Sequence, residues 1–137
     1  MAVHNITYKN KEIDKSINNE LGKAFSFFKK LKIGSIGSRR LIIENFSDGL
    51  NNLKMNVSGI QYANIEIRPL GVIVHINKGI YTYAWTIPFY QLSIFNGDFF
   101  TLHSQGQFIQ FNKIKSIKEN KAFINKLFEL KANLMPQ

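Results

Sequence analysis

The sequence contains no cysteine, no long run of apolar residues and few acidic side chains. Without cysteine the chain cannot form disulfides, thiol nucleophiles or thiolate metal sites, which fits a reducing cytoplasm. No segment approaches the roughly 18 consecutive apolar residues of a membrane-spanning helix, and residues 1–15 lack the apolar region of a secretory signal. These absences predict a soluble, cytoplasmic protein.

Acidic residues are outnumbered two to one, with 18 Lys and Arg against 9 Asp and Glu, and the net charge is +9. Residues 1–40 carry nine basic and three acidic side chains and residues 113–137 carry six and two, whereas residues 41–112 are nearly neutral. Basic flanks indicate an anionic partner such as nucleic acid or a membrane surface. The alternative is a solvated, lysine-rich surface without a partner, because fifteen of the eighteen basic residues are lysine.

Candidate catalytic groups are scarce and scattered. The histidines are His4, His75 and His103, and the few carboxylates do not fall at the spacing of a catalytic motif. A metal site made of Glu66, His75 and His103 would require their strands to align, and no helical or loop spacing supports it. We therefore expect a protein that is not an enzyme and that holds neither a metal nor a cofactor.

Short alternating segments fill the middle of the chain. Residues 39–112 place apolar side chains at every second position, between turns that contain Gly, which predicts an antiparallel meander of about seven strands. The pattern includes a strand over residues 53–57 and a type I′ hairpin turn at Asn96–Gly97. Because so many strands would leave exposed edges, we expect the sheet to curl strongly or to close into a small barrel. Residues 1–137 are then one α+β domain.

Helical periodicity precedes the meander. It predicts a basic amphipathic helix over residues 11–33 with Asn10 as its N-cap, although Gly22 leaves two shorter helices as an alternative. The apolar stripe of this helix consists of Ile13, Ile17, Leu21, Ala24, Phe25, Phe28 and Leu31. The stripe packs on the sheet or, in a second interpretation, lies on a membrane with Phe25, Phe27 and Phe28 towards the lipid.

A second helix is predicted over residues 117–134, where Ser116 and Glu119 form a capping box. Its apolar positions repeat at intervals of three and four residues, so we expect it to cover one open end of the curled sheet. Before it, the segment RPLGVIVHINKGIYTYAWTIPFYQLSIFNGDFFTLHSQGQFIQF resembles small bacterial domains with a pleckstrin-homology-like barrel. Trp85, Ile87 and Leu92 match the Trp-containing strand and the turn that follows it in that pattern. The resemblance implies a domain that binds peptides, proteins or anionic lipid headgroups and performs no chemistry.

The candidate binding residues are basic and lie in the second half of the first predicted helix and at the start of the meander. A Gly/Ser loop over residues 34–38 is a weak candidate for holding a phosphate, with a plain turn as the alternative. The anionic partner would be a lipid headgroup, a membrane surface or an acidic protein segment. The predicted ligand-binding residues are Lys23, Lys29, Lys30, Lys32, Arg39 and Arg40.

Two further functions remain open from the sequence. One is nucleic-acid binding, in which the same cations contact phosphates and Tyr81 or Tyr83 stacks on bases. The other is a carrier for a small hydrophobic ligand, if the aromatic interior of the barrel is a cavity. That interior would be lined by Tyr81, Tyr83, Trp85, Phe100 and Phe111.

Overall fold

The computed structural model describes residues 2–26, 29, 30, 32, 34, 36–55, 59–113 and 120–134. Two α-helices are α1 (Lys11–Leu21) and α2 (Lys121–Leu134), and two short 3₁₀-helices cover Asp48–Leu53 and Phe89–Gln91. The strands are β1 (Ala2–Asn5), β2 (Leu41–Phe46), β3 (Gln61–Arg68), β4 (Gly71–Lys78), β5 (Tyr81–Pro88), β6 (Ser93–Asn96), β7 (Phe100–Ser104) and β8 (Gln107–Phe111).

The eight strands form a single antiparallel sheet in the order β1-β5-β4-β3-β2-β8-β7-β6. This confirms the predicted α+β class and the antiparallel sheet, which has eight strands where about seven were predicted. The sheet is not one continuous meander, because β8 pairs with β2 and β6 does not lie beside β5. Strand β1, outside the predicted meander, pairs with β5 so that Val3 lies opposite Trp85. Among the described strands, no pairing joins the edge strands β1 and β6, so the sheet is open and the predicted closed barrel is not observed.

The sheet is covered on both faces. On the inner face, alternate residues of the strands and one side of α2 form a single apolar core that includes Trp85, Phe100, Phe111 and Leu127. On the outer face, Ile17 and Leu21 of α1 pack against Ile73 and Ala84. Strands buried on both faces carry continuous apolar runs, which explains the sequence Val72-Ile73-Val74 in β4.

Helix α1 begins as predicted and ends earlier than predicted. The side chain of Asn10 accepts hydrogen bonds from the backbone N–H groups of Glu12 and Ile13, which confirms it as the N-cap. The helix ends after Leu21 because Gly22 has a positive φ of 82°, a conformation that favours glycine. The single helix over residues 11–33 is therefore wrong.

A separate helical turn follows. Lys29, Lys30 and Lys32 are helical, and the Lys30 N–H donates to the carbonyl oxygen of Ser26 over 2.9 Å, in agreement with the alternative of two shorter helices. Two of the phenylalanines in the lipid-facing interpretation lie outside the described residues, and Phe25 packs against the inner core.

Two local predictions within the meander are also wrong. Leu53 ends a 3₁₀-helix and is buried, so no strand begins there, and residues 56–58 lie outside the described residues. The hairpin at Asn96–Gly97 forms, but neither residue has a positive φ, so the turn is not type I′. The pair with positive φ is Gln105 and Gly106, which joins β7 to β8.

Helix α2 is described from Lys121 onward, and the predicted capping box at residues 116–119 lies outside the described residues. Phe123, Ile124 and Leu127 are buried in the inner core, as the spacing of apolar residues predicts. The helix therefore covers the inner face of the sheet.

Gly71 lies at the closest approach of three elements. A side-chain carbon at this position would collide with the carbonyl oxygen of Ile87 and would lie 2.8 Å from Cα of Pro88 and 2.7 Å from the Leu21 side chain. Two of these atoms belong to the β5 backbone and cannot move without disturbing the pairing of β4 with β5. Only glycine allows β4, β5 and α1 to meet here.

We predict that Gly71→Ala lowers the free energy of unfolding by about 1–3 kcal/mol, because the added methyl group overpacks a fixed backbone contact. Urea unfolding followed by circular dichroism measures the change. Gly97→Ala is the matched control, since no atom lies within 4 Å of a methyl group placed there, and we expect its effect to stay below about 0.5 kcal/mol. Equal effects of the two substitutions would contradict this account of Gly71.

Candidate functional site

The six cations selected from the sequence all lie on the surface. They are Lys23, Lys29, Lys30, Lys32, Arg39 and Arg40, and each is exposed. The nearest acidic residues along the chain are Glu20 and Glu44. No ion pair joins any of the six to another described residue. This stretch therefore presents uncompensated positive charge to solvent.

The lysine-bearing segment, residues 22–36, is anchored at both of its ends to the same end of the sheet, where β3 turns into β4. At its start, the Gly22 carbonyl oxygen accepts a hydrogen bond from Arg68 over 3.0 Å. At its finish, the Ile36 carbonyl oxygen accepts one from the N–H of Ile67, a neighbour of Arg68, over 2.7 Å. The segment leaves and returns at one place, so Lys29, Lys30 and Lys32 belong to an excursion from that end. We call it the Leu70 end, after the exposed leucine of the β3–β4 turn.

The two arginines lie further along β3. Arg40 places its guanidinium carbon 4.6 Å from the ring centroid of Tyr62, a cation–π contact. The backbone N–H of Arg39 donates to Oδ1 of Asn120, just before α2, over 2.8 Å. The structure thus places the backbone of Arg39 beside the start of α2 and the guanidinium of Arg40 on Tyr62.

The described residues that close the Gly/Ser loop direct their backbone groups towards β3. The Ser38 N–H donates to the carbonyl oxygen of Ile65 over 2.9 Å, and the Ser38 hydroxyl accepts from the Ile65 N–H over 2.8 Å. Gly37 forms an isolated antiparallel bridge with Glu66. The loop lies along β3 and its described polar groups are used there, which disfavours the phosphate-binding interpretation.

Leu70 and Tyr90, which we call the apolar tip, are exposed residues near the anchors of the lysine-bearing segment, a feature not inferred from the sequence. The Leu70 N–H donates to the carbonyl oxygen of Leu21 in α1, and the Phe89 N–H donates to the carbonyl oxygen of Leu70, each over 2.9 Å. These bonds join the end of α1, the β3–β4 turn and the 3₁₀-helix after β5. Leu70 remains 56% exposed and Tyr90 69% exposed. The local sequence reads only as turns and did not predict this arrangement, because hydrogen bonds between three segments distant in the chain create it.

Arg68, Glu66 and His75 form a half-buried network on the outer face beneath α1. Arg68 donates from Nε to Glu66, and from Nη1 to Oδ1 of Asn18 over 3.1 Å and to the Gly22 carbonyl. Nε2 of His75 lies 3.0 Å from Oε1 of Glu66. Arg68 therefore satisfies a carbonyl at the end of α1 and holds this helix on the sheet.

The environment of Glu66 changes its ionisation. Burial by itself raises the pKa of Glu66, but hydrogen bonds from His75 and Arg68, with the positive charge of Arg68, lower the pKa below its ordinary value. The third member of the conceivable metal site, His103, lies on β7 and contacts the ring of Phe95 instead. Among the described residues, no three His, Asp or Glu side chains lie together in a way that could hold a metal ion.

A cleft of about 200 Å³ lies beside this network, between α1 and the outer face of the sheet. It is lined by apolar residues from α1, β4 and β5 together with Lys9, Asp14, Arg68 and His75. The charged groups are of both signs, and those of Arg68 and His75 are already engaged with Glu66. Because its lining is mixed, the cleft does not favour any one class of ligand.

The aromatic residues of the carrier hypothesis do not share one environment. Trp85, Phe100 and Phe111 are fully buried in the inner core, whereas Tyr81 is exposed and Tyr83 only packs at the edge of that core. The cleft beneath α1 has none of the three buried rings in its lining. Trp85 Nε1 is buried without a hydrogen-bond partner in the described structure.

No described helix is both long enough and apolar enough to cross a bilayer. Comparison of the chain with protein-family models, with curated proteins and with solved structures gave no match. The exposed cations and the apolar tip are therefore the features from which we infer the function.

We predict that Glu66→Gln destabilises the protein at neutral pH by about 1–3 kcal/mol, because Arg68 loses a charged hydrogen-bond partner in a largely buried site. A depressed folded-state pKa stabilises the fold above the unfolded pKa of about 4.3, and that stabilisation is lost as pH falls through the folded value. The difference in the free energy of unfolding between wild type and variant should therefore become smaller below about pH 4. Urea unfolding across the pH range measures this difference.

Glu129→Gln is the control for this measurement. Glu129 is 60% exposed and lies 3.7 Å from Lys126, so its replacement should cost less than about 0.5 kcal/mol. A Glu66→Gln effect that stays constant from pH 7 to pH 3 would show that the carboxylate charge does not stabilise the fold.

Proposed function

We propose that this chain is a non-enzymatic binding module that docks on an anionic surface, foremost the phosphate headgroups of lipids. The observation that carries the proposal is the excursion at the Leu70 end, where Lys29, Lys30 and Lys32 are exposed without a described ion-pair partner. Arg39 and Arg40 lie further along β3, towards its Gln61 end, and are separate from this excursion. Cytoplasmic membrane leaflets are anionic and attract basic segments, which suits the cytoplasmic location that we propose from the absence of cysteine.

The magnitude of the charge effect supports this choice. Each basic residue near an anionic bilayer contributes about 1 kcal/mol, and the contribution falls with distance over a Debye length of about 8–10 Å at physiological salt. Cations scattered over a whole surface cannot all reach one membrane within that distance. Three lysines on one short excursion can do so, and their contributions combine.

The resemblance to pleckstrin-homology-like domains is part of the proposal. It is supported by the continuous core, to which strands from both halves of the sheet and α2 contribute. In this interpretation β1 and α1 are additions to a seven-strand unit, and α1 provides the anchor from which the lysine-bearing segment leaves.

Nucleic acid shares the phosphate chemistry but receives less support. The tyrosines proposed for base stacking, Tyr81 and Tyr83, begin β5 next to the β4–β5 turn. That turn is the opposite end of the sheet from Leu70, because β4 runs eight residues between the two turns, roughly 25 Å. To contact both the lysines and these tyrosines, one strand of nucleic acid would have to bind two separated surfaces of the protein.

We predict that the protein sediments with vesicles that contain phosphatidylglycerol and not with pure phosphatidylcholine vesicles, and that added salt weakens the binding. The triple substitution of Lys29, Lys30 and Lys32 by Gln should lower the affinity about 100-fold, from about 1 kcal/mol for each lysine. Vesicle sedimentation at fixed ionic strength measures this change.

The control replaces Lys9, Lys11 and Lys15 by Gln, three exposed lysines at the start of α1. It removes the same net charge from a different place, and we expect a change below about threefold. Equal losses for both triple variants would show that overall charge, not the excursion, causes binding. Tighter binding to single-stranded DNA than to anionic vesicles would favour the nucleic-acid function.

A further inference from the structure

We infer that the partner is a lipid bilayer and that Leu70 and Tyr90 insert between its headgroups while the neighbouring lysines contact lipid phosphates. This inference rests on the proposed function and adds the orientation of the protein on the bilayer and the side chains that enter it. It starts from the exposed side chains of Leu70 and Tyr90, which have no part in the proposed function.

The tip joins exposed apolar side chains to a rigid support. Leu70 is exposed while its N–H and carbonyl groups bond Leu21 and Phe89. Phe89, next to Tyr90, is buried in the inner core. The exposed side chains therefore project from a backbone that is fixed to α1 and to the sheet.

The surroundings of the tip are basic. Lys23 follows Gly22, at which a side-chain carbon would lie 3.1 Å from Pro69, the residue before Leu70. The excursion that carries the other lysines leaves and returns at the same end. Leucine or tyrosine flanked by lysine suits the boundary of an anionic bilayer, where apolar side chains enter the acyl region and cations meet phosphates.

An acidic protein segment fits this surface less well. It would neutralise the lysines, but it would leave the exposed Leu70 and Tyr90 without an apolar partner unless it carried one. A bilayer supplies both environments in a fixed order, with anionic headgroups outside and hydrocarbon beneath. Charge and apolar exposure at the Leu70 end together favour the bilayer.

The chain provides its own control residue at the other end of the sheet. Ile80 in the β4–β5 turn is 80% exposed, and β4 separates it from the Leu70 end. If exposure of a branched apolar side chain were sufficient for insertion, Ile80 would enter a membrane as readily as Leu70. The proposed orientation points Ile80 away from the bilayer.

The test uses one introduced thiol at a time, which labels uniquely because the chain has no cysteine. Leu70→Cys and Ile80→Cys are each labelled with an environment-sensitive fluorophore and mixed with vesicles of phosphatidylglycerol and phosphatidylcholine in equal parts. We expect the label at position 70 to shift its emission to the blue and to be quenched by nitroxide-bearing lipids. The label at position 80 should show neither change.

A second measurement removes the apolar groups without a label. Leu70→Ser combined with Tyr90→Ser should weaken binding to the same vesicles roughly tenfold or more, and the remaining binding should disappear at high salt. Ile80→Ser should leave the affinity within about twofold. Circular dichroism and urea unfolding confirm that the variants fold, which is expected because all three side chains are exposed.

The outcomes separate this inference from the function on which it rests. If unlabelled wild type binds the anionic vesicles while the label at position 70 stays in water, insertion is refuted and binding by charge remains. If both labels enter the bilayer, the proposed orientation is refuted. If unlabelled wild type does not bind these vesicles at all, the proposed function fails and insertion fails with it.

Discussion

A close approach of β4, β5 and α1 at Gly71 joins the first helix to the sheet. At this position the β4 backbone lies against β5 and against Leu21 of α1, with no room for a side chain. The end of α1, set by the positive φ of Gly22, packs against this contact, and Arg68 secures the same place by donating to the carbonyl oxygen of Gly22. The lysine-bearing segment then starts at a defined point on the surface. Packing on the outer face thus determines the point on the surface at which the lysine-bearing segment begins.

The two faces of the sheet have different roles. The inner face carries the core shared by both halves of the sheet and α2, and it supplies most of the apolar burial. The outer face has a smaller apolar cluster under α1 together with the Arg68–Glu66–His75 network. Because the carboxylate of Glu66 is held ionised beneath α1, the anchoring of the helix depends on charge as well as on apolar contact. Acid should therefore loosen the outer face before the inner core.

Much of the fold could be predicted from local pattern, but the site could be predicted only in part. Alternation identified β3, β4, β5, β7 and β8, and the Asn10 cap identified the start of α1, because these signals are local. The end of α1 was placed too late, since continued periodicity outweighed the effect of Gly22. The Leu70–Tyr90 tip could not be predicted, because hydrogen bonds between segments about 20 and 50 residues apart create it. The predicted cations are exposed, but their role in binding stays a prediction, and the anchoring of the lysine-bearing segment at the Leu70 end could be recognised only from the fold.

The central claim is that one end of the sheet faces an anionic bilayer. Amide chemical shifts of the uniformly labelled protein, recorded with anionic and with neutral bicelles, test it most directly. The account predicts shifts for Lys23, Leu70, Tyr90 and the Lys29–Lys32 turn with anionic bicelles alone, and none for residues 78–82 at the opposite end. Shifts centred on residues 78–82, or equal shifts with neutral bicelles, would contradict it.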